Sequence, residues 1–332
     1  MANTLQTLAS AFASINDESV QPSTLSFIAD DVTAAIASAQ PVQPTPAPPS
    51  APFSTIYAFG DSLTDAGNVA KATAGLLPVS PPYDHVFSNG PVWVQDLAQD
   101  LGLPAIQPSL GGGTDFAYGG AETGQTPNHT TNPTDLPSQI GQFIAQVPSP
   151  QPNALYAMWF GSNDVLDIAN NTALSPGQQQ TDVTDAVANE VDGIQSLAAR
   201  GATNFLVLNV PDLGQTPYEE ARGPAIAQSA TSLATLYDTD LSTAIQGLEA
   251  SGALKIDLVN AFAILDQAIA NPSAYGFTDV TTPAWTGNLT DSNSGTLSPT
   301  ASTHLFFDGL HPTAQAHALL ASDIAQNVAT TA

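Results

Sequence analysis

The chain has 332 residues, no cysteine, and 30 acidic against four basic residues, for a formal charge of −26. Lys71, Arg200, Arg222 and Lys255 are too few and too scattered to neutralise a nucleic-acid backbone or an anionic membrane surface, and the missing cysteine excludes disulfides, thiol nucleophiles and thiolate zinc sites. No apolar run reaches the roughly 18 residues that crossing a bilayer takes, so no stable membrane insertion is expected, while 42% hydrophobic residues suffice for a substantial core.

Residues 1–40 carry two apolar stripes at helical spacing: Leu5, Leu8, Phe12 and Ile15, then Ile28, Val32 and Ile36. They lack the positive start and continuous apolar centre of a secretory leader. We expect a partly helical or disordered extension there. Residues 41–52 hold six prolines and read as an extended spacer. The main domain is predicted to span 53–332. Thr55–Phe59 reads as a short buried strand ending in Gly-Asp-Ser, followed by a helix over 92–101. A weaker strand near 114–118 runs into Gly119-Gly120, and a helix follows over 136–147. Ala154–Phe160 is the next strand and ends in Gly-Ser-Asn-Asp. A helix over 182–200, a strand at Asn204–Val210, a helix over 223–251, a strand at Leu254–Val259 and a last helix over 313–328 complete the pattern. Short apolar runs alternating with helices predict an α/β fold with a buried parallel sheet and right-handed crossovers.

In open α/β sheets the ligand crevice lies beyond the carboxyl ends of the strands. Three motifs of glycine plus a small polar residue fall there. Ser62, just past the first strand and at the mouth of a helix, can present its hydroxyl, with the helix N-terminus favouring developing negative charge. Alone, such a serine is more often a helix cap. His311 supplies the base a hydroxyl needs, and Asp308, three residues earlier with Gly309 between, can reach its Nδ1 across a tight turn. Acyl transfer also needs preorganised donors for an oxyanion. The Ser62 and Gly120 backbone N–H groups and the Asn163 side chain can provide them. Leu63, Asp164 and Leu310, beside these positions, are the candidate substrate contacts.

Taken together, the blocks Phe59–Asn68, Phe116–Ala121, Gly161–Asp164 and Asp308–Thr313 resemble the SGNH (GDSL) family of serine esterases and lipases, over roughly residues 53–330. Residues 89–94 and 271–278 resemble its lipase and lysophospholipase branch. The resemblance implies a three-layer α/β/α sandwich with a flavodoxin-like parallel sheet. It implies Ser62 as nucleophile, His311 as general base, Asp308 as its orienting acid, and Ser62, Gly120 and Asn163 as the oxyanion hole. Asp115 departs from the pattern, since asparagine usually opens the second block. The G-x-S-x-G elbow of α/β-hydrolases is absent, and there the acid and histidine come from separate loops.

The expected activity is hydrolysis of carboxylic esters through an acyl-enzyme, with lipid-like acyl esters or lysophospholipids favoured. A carbohydrate acetylesterase is the alternative within the same chemistry. A non-catalytic binding or adhesion protein on the same fold is the alternative outside it, and the intact Ser, Asp and His argue against it. No cofactor and no metal is expected, since the histidines show no metal-ligand spacing. The expected partner is a small-molecule or lipid ester, bound by a monomer. Sparing use of basic residues suits an extracellular or acidic setting. Export by a route without a conventional leader is therefore expected, with a cytoplasmic address as the alternative.

Overall fold

The computed structural model describes residues 34–36, 51–127 and 129–331. The predicted extension and spacer therefore lie mostly outside the described residues, including the stripe from Leu5 to Ile15. Ala34–Ile36 form a helical turn, and Ile36 packs against a cluster that includes Leu77, Tyr83 and Phe307.

Four parallel strands of five residues form the sheet: β1 Ile56–Gly60, β2 Leu155–Trp159, β3 Asn204–Leu208 and β4 Lys255–Val259, in the order β1-β2-β3-β4. Their starts are in line, with Ile56 opposite Leu155, Leu155 opposite Asn204 and Asn204 opposite Lys255. From residue 51 onward the helices are α1 Asn68–Ala72, α2 Trp93–Asp100, α3 Leu136–Gln146, α4 Ser162–Asn170, α5 Pro176–Ala198, α6 Pro217–Arg222, α7 Pro224–Glu249, α8 Ala261–Ala270 and α9 Ala314–Thr331. None is long and apolar enough to cross a membrane.

Strand alternation sorts the core into two layers, because successive side chains point to opposite faces. Tyr57, Phe59, Tyr156, Met158, Phe205 and Val207 meet α3, α4, α5 and α7 on one face. Ile56, Ala58, Leu155, Ala157, Trp159, Leu206 and Leu208 meet α2 and α9 on the other. The result is the α/β fold that the alternating pattern predicts, in the three-layer α/β/α form that the family resemblance implies.

The weak strand at 114–118 is real but short of a full ladder. It runs parallel beside β1, through Ala58 N to Thr114 O (3.0 Å), Phe116 N to Ala58 O (2.8 Å) and Tyr118 N to Gly60 O (3.1 Å). Its outer edge is covered by the loop at 107–109, which bonds both the N–H and the C=O of Asp115. Counted as a strand, it places the second strand in sequence outside the first. The chain reverses direction across the sheet between β1 and β2, which is the switch point where open α/β sheets bind ligands.

One expected boundary needs correction, and helices α4 and α8 are not among the predicted elements. Helix α5 begins at Pro176, not 182, because Pro176 suits the first helical position and the Gln178 side chain accepts from Ser175 N (3.0 Å). Its first turn is polar and shows no apolar stripe. Helix α4 has too short an apolar pattern to be read as a helix. Helix α8 is apolar on nearly every side and carries no period.

Candidate active site

Ser62 lies in the turn that follows β1. Thr64 N and Asp65 N both donate to Asp61 O (3.1 and 3.0 Å), and Leu63 N donates to Asp61 Oδ1 (2.9 Å). The sequence places Ser62 at the mouth of a helix; the structure does not. Helix α1 starts at Asn68, because the Asp65 carboxylate takes the N–H groups of Gly67, Asn68 and Val69 and sets the helix start after residue 67. The helix that follows β1 therefore does not begin at the hydroxyl.

The far end of the chain supplies the base. Phe307 N donates to His311 O (2.7 Å), closing the tight turn that carries Asp308. Leu310 N and His311 N both donate to Asp308 Oδ1 (2.8 and 2.7 Å), which fixes the carboxylate inside the turn. Its Oδ2 lies 2.7 Å from His311 Nδ1, and His311 Nε2 lies 2.9 Å from Ser62 Oγ. These contacts define the tautomer, with Nδ1–H donating to Asp308 and Nε2 accepting from Ser62. Two side chains absent from any sequence motif complete the arrangement. Tyr83 OH donates to Asp308 Oδ2 (2.7 Å), and the Phe87 ring lies 5.4 Å from the His311 ring. Burial pushes the Asp308 carboxyl up, but the His311 charge and the His311 and Tyr83 hydrogen bonds outweigh it and hold the group below its ordinary value. Burial pushes His311 down, and the charges of Asp308 and Asp61 more than reverse this, so its pKa lies above 6.5.

The second and third blocks converge on the same point. Gly120 turns at φ +75°, a conformation side chains rarely adopt. Neither its N–H nor that of Ser62 has an acceptor among the described residues. Asn163 Nδ2 donates one hydrogen to Ala121 O (2.8 Å), which fixes the amide and leaves its second hydrogen for a ligand. Gly161, at φ +93°, brings α4 close: a Cβ there would sit 2.5 Å from the Tyr237 ring.

An open cavity of about 690 Å³ begins at Ser62, Gly120, Asn163 and His311 and extends between β4, α8 and α9. Its walls include Leu258, Ile264, Leu265, Leu320 and Ile324. Leu63 and Leu310 line it. Asp164 does not. It is buried and accepts from Thr123 N (3.1 Å) and Thr123 Oγ1 (2.6 Å), because α4 turns its side chain toward the segment after Gly120. Nearby, His129 lies 2.9 Å from Glu122 and 3.1 Å from Asp135. Burial lowers His129, but these carboxylates raise it to about 10.

The chain is similar to known proteins over most of its length. It is 29% identical over 315 residues to the phosphatidylcholine-sterol acyltransferase of Aeromonas hydrophila, covering 82% of this chain and 89% of that protein. It is 27% identical over 308 residues to a GDSL esterase/lipase of Arabidopsis thaliana, covering 78% and 82%. It is 28% identical over 241 residues to an acetylesterase of Thermothelomyces thermophilus, covering 68% and 76%. The model of the GDSL-like lipase/acylhydrolase family matches residues 56–324, from β1 to α9 and through all four blocks that build the site. The chain belongs to the GDSL-like lipase/acylhydrolase family of ester hydrolases.

Proposed function

We propose that the protein hydrolyses carboxylic esters of long, apolar acyl chains through an acyl-enzyme on Ser62. The observation that carries this is the Ser62–His311–Asp308 relay at 2.9 and 2.7 Å, opening onto a predominantly apolar cavity. Ser62 Oγ attacks the ester carbonyl while His311 Nε2 takes its proton, and Asp308 stabilises the imidazolium without accepting the proton itself. The oxyanion meets the N–H groups of Ser62 and Gly120 and the Asn163 amide, each such donor being worth about 3 kcal/mol. Collapse breaks the ester C–O bond, and His311 returns the proton to the leaving alcohol. Water then attacks the acyl-enzyme by the same route in reverse order, with His311 again the base.

The cavity supports the long-chain reading, because an acetyl group would occupy only its mouth and leave the arm between α8 and α9 unfilled. The relative named for phosphatidylcholine supports it as well. The test is a profile of kcat/KM across p-nitrophenyl esters from acetyl to palmitoyl, with Ser62→Ala as control. The expected result is a maximum at medium or long chains, with turnover of Ser62→Ala lower by at least about 10³-fold. A maximum at acetyl would favour the acetylesterase, and an active Ser62→Ala would overturn the mechanism.

A further inference from the structure

We infer that Asp65 and Asp115 form a reciprocal carboxylate clamp that sets the spacing of the Ser62 and Gly120 amides, which makes both of them positioning residues for the oxyanion hole. This rests on the reading of those two amides as oxyanion donors.

The two loops that carry the donors come from different strands and need a tie. Asp65, three residues after Ser62, sends its Oδ2 across to the N–H of Gly119 (3.0 Å), the peptide that leads into Gly120. Its remaining acceptor capacity takes Gly67 N (2.8 Å), Asn68 N and Val69 N (3.2 Å). Asp115, on the strand that leads to Gly120, reaches the other way. Its Oδ2 accepts from Ala66 N (2.7 Å) in the nucleophile segment and from Asn68 Nδ2 (3.3 Å), and its Oδ1 accepts from Ala117 N (3.0 Å). Each loop thus supplies an acid that grips a main-chain amide of the other.

Every partner of the four carboxylate oxygens is an N–H donor. Asparagine at 115 would satisfy Ala66 or Ala117 but turn its own NH₂ against the other N–H. Both carboxylates are fully buried, and neither has a basic ion-pair partner among the described residues. Burial raises Asp65 to about 6 and raises Asp115 well above the ordinary carboxylate value, with the charge of Asp65 adding to it. Protonation would replace an acceptor by a donor facing N–H groups, so the hydrogen-bond geometry is built for the ionised forms. Two adjacent buried acids without a cation are a costly way to cap a turn. They are a reasonable way to fix two loops to within the fraction of an ångström that an oxyanion hole requires.

The experiment compares Asp115→Asn with the parent and with Ser62→Ala, at pH 8. The substrate is a p-nitrophenyl ester, and the transition-state mimic is an alkyl boronic acid that adds to Ser62 Oγ. Asp115→Asn is expected to lower kcat about 10- to 100-fold, to leave KM within about threefold, and to weaken boronate binding in step with kcat. If Asp115→Asn does not fold, Asp65→Asn, which turns an NH₂ against one of the N–H groups that Asp65 holds, is expected to lower kcat three- to tenfold at constant KM. An Asp115→Asn or Asp65→Asn protein with kcat within twofold of the parent overturns the clamp. So does a loss shared equally by kcat, 1/KM and Tm with boronate affinity unchanged, since that is a purely structural effect. An active Ser62→Ala would instead overturn the catalytic reading itself, so the two failures are separable.

Discussion

In the proposed mechanism His311 must be neutral to accept the Ser62 proton, so kcat/KM is expected to rise with pH as the imidazole titrates. The expected midpoint lies above the ordinary 6.5, because Asp308 and Asp61 stabilise the charged ring more than burial disfavours it. Asp61 is the tunable part of that balance. It is fully buried beside the nucleophile, its Oδ2 has no hydrogen-bond partner among the described residues, and burial lifts its carboxyl to about 7. Asp61→Asn removes a negative charge that favours the imidazolium. The acid limb of the pH–rate profile should therefore move to lower pH. An acid limb at an unchanged position would show that Asp61 does not act on His311.

At the scale of elements, α8 and α9 decide what the site can hold. The sequence of α8, AFAILDQAIA, is apolar on almost every side, yet only Ala261 and Ala268 are fully buried. A helix of that composition normally sits deep in a core. Here it stands beside the edge strand β4 and forms one wall of the cavity: Ile264 and Leu265 line the space, while Phe262 and Ile269 pack against the hydrophobic clusters on either side. Ile264→Trp should fill the arm of the cavity and lower kcat/KM for palmitoyl relative to acetyl esters by more than about tenfold, since each excluded methylene is worth about 0.8 kcal/mol. An unchanged ratio in the chain-length profile would place the acyl chain elsewhere.

For the whole molecule, burial of carboxyls is the dominant electrostatic fact. Burial raises Asp61 and Asp238 to about 7, Asp65 and Asp164 to about 6, and Glu190 to about 8, in each case as the largest cause. A group whose pKa is higher in the folded state binds more protons there than when unfolded. Its contribution is full below the unfolded value, near 4, and is lost as pH rises through the folded value. His129, held at about 10, acts in the same direction above pH 6.5. Self-repulsion from the net charge of −26 adds to the trend. His317 opposes it below pH 6.5, because burial lowers its pKa to about 3 and keeps it neutral in the fold. Thermal melts should therefore show Tm rising as pH falls from 8 to about 6. A Tm that climbs steadily from pH 6 to 8 would contradict this assignment of the buried acids.

The alternating short apolar runs determined the parallel sheet by themselves, because strands buried on both faces leave that pattern whatever packs on them. The four polar blocks also marked the residues that converge at the candidate site, since Ser62, Gly120, Asn163 and the Asp308–His311 pair each lie in a local motif. Tertiary structure decided the rest. Tyr83 and Phe87 meet the catalytic pair from a proline-rich loop more than 200 positions away, and no local spacing encodes such a contact. Asp164 looked like a substrate contact from its place beside Asn163, but the helix turn points it at Thr123 instead. The cavity forms only where β4, α8 and α9 come together, and the positioning roles inferred for Asp65 and Asp115 appear only when two loops meet. Burial and hydrogen-bond partnership are properties of neighbours in space, and the linear order of residues carries them only where the partners are a few positions apart.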